Sequence, residues 1–119
     1  MSQAEVKNFD SPDETRPFEG KGKAEVVNIA GQVVGKATFE PGWKWSECIK
    51  PVVGTDSCQA EHLGYAVSGR IHITHNDGTE LDISPGEAYL IAPGHDAWVI
   101  GDEPFVGVEF TSAGVYAKT

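Results

Sequence analysis

From Lys23 to Phe110 no apolar run grows long before a turn signal cuts it. The runs are "AEVVNI", "VVGKATF", "WKWSECIK", "HLGYAVSG", "RIHITHNDG", "TELDISPG", "EAYLIAPG", "HDAWVIGDEP" and "FVGVEF", with a long polar loop, "PVVGTDSCQAE", after the third. Pro-Gly recurs at 41–42, 85–86 and 93–94, and Asn76-Asp77-Gly78 separates "RIHIT" from "TELDI". Glycine and asparagine tolerate positive φ, so this last signal predicts a hairpin. No stretch repeats its apolar residues with the 3.6-residue period of a core-facing helix. Short strands about 8–12 residues apart with such punctuation fold as an all-β sandwich or closed barrel.

A chain of 119 residues suits one domain and buries roughly two-thirds of its unfolded surface, enough for a core without staples. Residues 1–22 are polar and read as an N-terminal arm that packs on the body or adds an edge strand; residues 23–119 read as a single barrel domain. The net charge of −9, from 18 acids against 9 bases, excludes nucleic acid as a partner, because phosphate binding needs a basic surface. The same charge disfavours an anionic membrane surface, and no run approaches the ~20 apolar residues of a membrane span. "MSQAEVKNFDSPDETRPF" has neither the basic nor the apolar region of a secretory signal, so the expected location is cytoplasmic. There Cys48 and Cys58 are expected as reduced thiols.

Strand alternation assigns faces. In the predicted hairpin, Ile71 and Ile73 share one face and Leu81 and Ile83 share a face on the partner. His72 then points outward and His75 sits at the turn. "HLGYAVSG" separates a bulky face (Leu63, Tyr65, Val67) from a face of small residues (Gly64, Ala66, Ser68) with His62 at its end. Small residues beside an imidazole leave volume in front of it, the form of a small-molecule cavity. The alternative is close strand approach at Gly64 and Ala66. In "IAPGHDAW", Pro93-Gly94 delivers His95, Asp96 and Trp98 straight after an apolar strand.

The stretch "GYAVSGRIHI … DGTELDISPGEAYLIAPGHDAW" resembles the two motif regions of the cupin superfamily. Its first part resembles the strand ending in "YVLSG" and its return strand; its second resembles the "PGD…IPPG-H" strand and turn. "ATFEPGWKWSE" and "GDEPFVGVEF" resemble the flanks of small single-domain bacterial cupins, so the likeness runs from about Lys23 to Phe110. It implies an all-β cupin double-stranded β-helix, a jelly-roll barrel, and a homodimer. Metal-binding cupins carry H-x-H, then a glutamate, then a third histidine after the second turn. Here His62 stands at the glutamate position, Asp56 and Cys58 fall near the H-x-H positions, and Ala97 falls at the later histidine, two residues beyond His95. That departure speaks against iron dioxygenase chemistry, which wants nitrogen and oxygen ligands.

Cys58, His62 and His95 are the candidate ligands, converging at one end of the barrel. A thiolate with two imidazoles suits a divalent metal ion, zinc, rather than magnesium or calcium. Cys48 is either a fourth ligand or a core residue; Asp56, Glu61 or water are the other candidates, and Asp96 is a candidate partner behind a ligand. His95 alternatively bonds backbone at its turn. Trp43 and Trp45 share a parity and either line the cavity mouth or serve the core or a dimer contact. Glu47 is a minor acid/base candidate. The expected function is a small zinc-binding cupin of unassigned activity that accepts a small organic molecule in its barrel. The alternatives are a non-catalytic small-molecule or metal-sensing module, or a metal-free isomerase or epimerase with His62 or His95 as base.

Overall fold

Strands form where the sequence alternates, and the Gly/Pro signals end them. The structure, a computed structural model, describes residues 4–17, 21–50, 54–55, 57–58 and 61–110. In chain order the elements are β1 (Glu14–Pro17), β2 (Gly22–Ile29), β3 (Gln32–Phe39), α1 (Trp45–Cys48), β4 (His62–Ser68), β5 (Arg70–His75), β6 (Glu80–Ile83), β7 (Ala88–Ile91), β8 (His95–Ile100) and β9 (Phe105–Glu109). They build a six-stranded sheet, β1-β2-β3-β9-β4-β7, facing a three-stranded sheet, β6-β5-β8. Every pairing among them is antiparallel. Part of the N-terminal arm thus adds an edge strand, Glu14 pairing with Val26 and Pro17 with Lys23.

The core lies between the sheets. Phe39, Trp43, Trp45, Ile71, Ile73, Ile83 and Phe105 are all buried there, each contributing roughly 1.5–3 kcal/mol of transfer free energy. Phe39 packs on Trp43 at 4.2 Å and on Phe105 at 6.1 Å between ring centroids. The face assignments hold for β4: His62, Gly64 and Ala66 point inward while Leu63, Tyr65 and Val67 are about half exposed. In the hairpin, Ile71, Ile73 and Ile83 are buried but Leu81 is not. Its strand, β6, is the outer edge of the smaller sheet, and no strand among the described residues pairs beyond it to cover Leu81.

"WKWSECIK" is the one run that departs from strand. Trp45–Cys48 form a single helical turn. The chain around it is held against β8: Val99 N–H donates to the Trp43 carbonyl at 3.1 Å, and Asp96 Oδ1 accepts from Ser46 N–H at 3.1 Å. A carboxylate supplied by a distant strand catches an amide of the turn, which short-range alternation does not reveal.

The chain changes sheets between β4 and β5 through one residue, Gly69, at φ +74°. A Cβ there would lie 2.0 Å from the Pro104 carbonyl oxygen and 2.7 Å from the Phe105 Cα. Backbone cannot yield as a flexible side chain can. We expect Gly69→Ala to cost roughly 3 kcal/mol or more, combining a left-handed backbone penalty with this clash. A lower urea midpoint at unchanged slope is the readout.

Candidate metal centre

One backbone bridge sets the geometry. Cys58 N–H donates to the His95 carbonyl at 2.7 Å, and Gly94 N–H donates to the Cys58 carbonyl at 2.7 Å. The polar loop is thereby pinned to the first residue of β8. His62 opens β4 and pairs with Ile91, the last residue of β7. The turn Ala92-Pro93-Gly94 then returns the chain to His95, with Gly94 at φ +94°. The hairpin tip braces this turn from outside: Asn76 N–H donates to the Gly94 carbonyl at 2.8 Å, and Asn76 Nδ2 to Ser57 Oγ at 3.0 Å.

The three expected ligands meet. One donor atom each from Cys58, His62 and His95, all buried, lies within 4.8 Å of the others. A single point therefore lies within about 2.8 Å of all three, roughly 0.5–0.8 Å beyond zinc bonds of about 2.0–2.3 Å. Cys58 Sγ is 3.6 Å from His62 Nε2, matching the ~3.6 Å between sulfur and nitrogen that share a tetrahedral zinc. The two imidazole rings meet edge-on at 5.0 Å.

Each imidazole is oriented from behind. His62 Nδ1 donates to Glu109 Oε1 at 2.7 Å, and His95 Nδ1 donates to the Ala92 carbonyl at 2.9 Å. Both bonds turn Nε2 toward the cluster, the arrangement that fixes tautomer and raises basicity in metal sites. His95 thus takes its backbone bond and joins the cluster as well. Glu109 Oε2 accepts from the Tyr89 hydroxyl at 2.8 Å.

Glu109 and Tyr89 complete the site, and neither is among the candidate ligands that the sequence suggests. The signal for Glu109 was strand parity: Phe105, Gly107 and Glu109 share the inward face of β9. A carboxylate ending an apolar face needs a buried partner. Tyr89 answers the question raised by the small face of β4. A Cβ on Gly64 would lie 2.7 Å from the Tyr89 hydroxyl, and one on Gly107 would lie 2.6 Å from it. Part of the volume left by those glycines therefore holds a phenol.

Cys48 is not in the cluster. It ends α1 and is buried in the core. Helical rather than extended backbone at Trp45–Cys48 changes where this thiol points, so the fourth-ligand expectation finds no geometric support. Glu61 and Glu47 are exposed, and Asp56 lies outside the described residues. Asp96 braces α1 through Ser46 rather than standing behind a ligand. His72 is on the outer face, between Asp82 at 2.6 Å and Glu80 at 3.0 Å. His75 lies beside the cluster without joining it, its ring 5.9 Å from that of His95.

The electrostatics of the metal-free site follow from these contacts. Burial alone would raise the Cys58 thiol, but hydrogen bonds from His62 and His95 bring it down to about 6. Burial alone would lower His62, but the Glu109 carboxylate and Cys58 push it up to about 10. Thiolate and imidazolium therefore coexist at neutral pH. Burial and the Glu109 charge push Tyr89 far up, so it stays a hydrogen-bond donor.

The site borders a cavity between the sheets, lined by Trp43, Trp45, His62, Tyr89, His95 and Glu109 among mostly aliphatic and phenyl groups. The cavity is small, about 30 Å³.

No family model matches the chain, and no curated protein does. Solved structures do. KdgF from Halomonas sp. aligns with a TM-score of 0.61 at 17% identity, covering 94% of each chain. An RmlC-like cupin from Shewanella frigidimarina gives 0.58 at 18% identity, over 93% of this chain and 95% of that one. A double-stranded β-helix protein from Klebsiella pneumoniae gives 0.58 at 21%, over 96% and 88%. The fold is that of the cupins. Identities this low carry the architecture and not the activity. No helix among the described residues is long and apolar enough to cross a membrane.

Proposed function

We propose that this cupin binds one divalent ion, zinc, through Cys58, His62 and His95, and receives a small organic molecule in the adjoining cavity. The carrying observation is the convergence of three buried donor atoms within 4.8 Å. The bonds behind the two imidazoles support the same reading. Three protein ligands among the described residues leave a coordination position, the pattern of catalytic rather than structural zinc sites. Such an ion supplies Lewis-acid polarisation of a carbonyl, or activation of water, when bound. A metal-free enzyme using His62 as base fits less well, because an imidazolium titrating near 10 has no lone pair to offer at neutral pH.

Zinc titration of the purified protein tests the proposal, and its pH dependence has a definite sign. Ligation needs a thiolate and a free Nε2. Between about pH 6 and 10 the thiolate is present but His62 is protonated. This proton alone makes apparent affinity climb by up to about tenfold per pH unit across the window. Competition against a chromophoric chelator at several pH values reads this directly. A protein that takes no zinc, or takes it with no pH dependence in that window, contradicts the proposal.

A further inference from the structure

Trp45 carries a group that the metal centre does not use. Its side chain lines the cavity, is 1% exposed, and its Nε1–H meets no acceptor among the described residues. A buried donor without a partner costs stability that phenylalanine at the same place would not incur. The indole is also held firmly. Ile49 N–H donates to the Trp45 carbonyl at 2.9 Å, and Asp96, the residue after His95, holds Ser46. One segment of β8 therefore places both a candidate ligand and this donor on the same cavity. The rest of the lining is informative by its chemistry: it contains no lysine or arginine. Phosphates and carboxylates are recognised through such cations, and Glu109 already brings a carboxylate to this wall, so it does not suit them. The cavity is also small, so only a compact ligand fits it.

We infer that the cavity's ligand is a small uncharged carbonyl compound whose oxygen accepts the Trp45 Nε1–H hydrogen bond while a short aliphatic body fills the apolar wall. The inference rests on the reading that the cavity takes a small molecule, and it does not require the ion.

Butanone and 2-methyl-1-butene are suitable probes, alike in shape and charge but different at the head: one offers a carbonyl oxygen and the other a methylene group that accepts no hydrogen bond. Proton–nitrogen correlation spectra resolve the indole N–H signals of Trp43, Trp45 and Trp98, with Trp45→Phe assigning the second. Butanone should shift the Trp45 signal saturably, and the alkene should not. In Trp45→Phe, butanone affinity read from the Trp43 signal should fall roughly three- to tenfold, the worth of one hydrogen bond. A Trp43 signal that moves while Trp45 stays still overturns the inference, as does an equal response to both probes or to neither. Running the titrations with and without zinc separates the two claims. Zinc uptake with no indole response leaves the metal proposal standing and removes this one; an indole response in a protein that takes no zinc does the reverse.

Discussion

Cys58→Ala protein is expected to lose zinc, its affinity falling more than a hundredfold, with stoichiometry in the purified protein dropping from one ion toward none. The lower bound comes from comparison: removing a group that merely orients a ligand already costs roughly 10–100-fold, and Cys58 supplies a donor atom itself. His95→Ala should behave alike, since its Nδ1 is committed to the Ala92 carbonyl and the ring reaches the cluster by its other edge. Cys48→Ala provides the contrast, because that thiol lies outside the cluster and its loss should leave zinc content unchanged. Elemental analysis of the three variants beside the wild type decides the matter. Full zinc in Cys58→Ala, or none in Cys48→Ala with the fold intact, would show that the donor set has been misassigned.

Glu109→Gln is the second large effect, and it acts in both metal states. Glu109 is buried and makes bonds to His62 and Tyr89. With zinc present, loss of the carboxylate behind His62 should weaken binding about 10–100-fold. Without zinc, the change strips the main counter-charge from a buried imidazolium, worth on the order of 3 kcal/mol. The pH response should also weaken. In the wild type, His62 is raised from 6.5 to about 10. It therefore stabilises the fold fully below about 6.5 and progressively less up to about 10. In the variant only Cys58 remains to offset burial, so His62 holds its proton less strongly and this stabilisation at lower pH should shrink. Urea unfolding of both metal-free proteins at pH 5.5 and 8 distinguishes these slopes. A variant as stable as the wild type at both values would mean that Glu109 and His62 do not share a charge.

Much of the architecture was legible because strand alternation and turn chemistry are local. Gly69, Gly94 and the Asn-Asp-Gly tip each stop a strand, and the inward set of β4 follows from parity alone. The three-residue cluster was legible for a different reason: a resemblance aligned separate motifs, which no local pattern can do. What escaped was long-range. Glu109 reaches His62 across 47 positions, and Asp96 reaches Ser46 across 50. Neither contact leaves a spacing signature. Leu81 was placed inside because alternation says which face a side chain joins, and not whether a further strand exists to cover it.

Among the described residues, the Cys58 thiolate in the cluster and the Glu109 carboxylate behind it bring two negative charges to a buried site. With neutral imidazoles, a +2 ion would cancel them, whereas a +1 or +3 ion would strand a unit of charge where water cannot solvate it. In the proposed zinc form the buried glutamate would act as a valence filter. It would be blind to which divalent element arrives, so choosing zinc over its neighbours would be left to the sulfur.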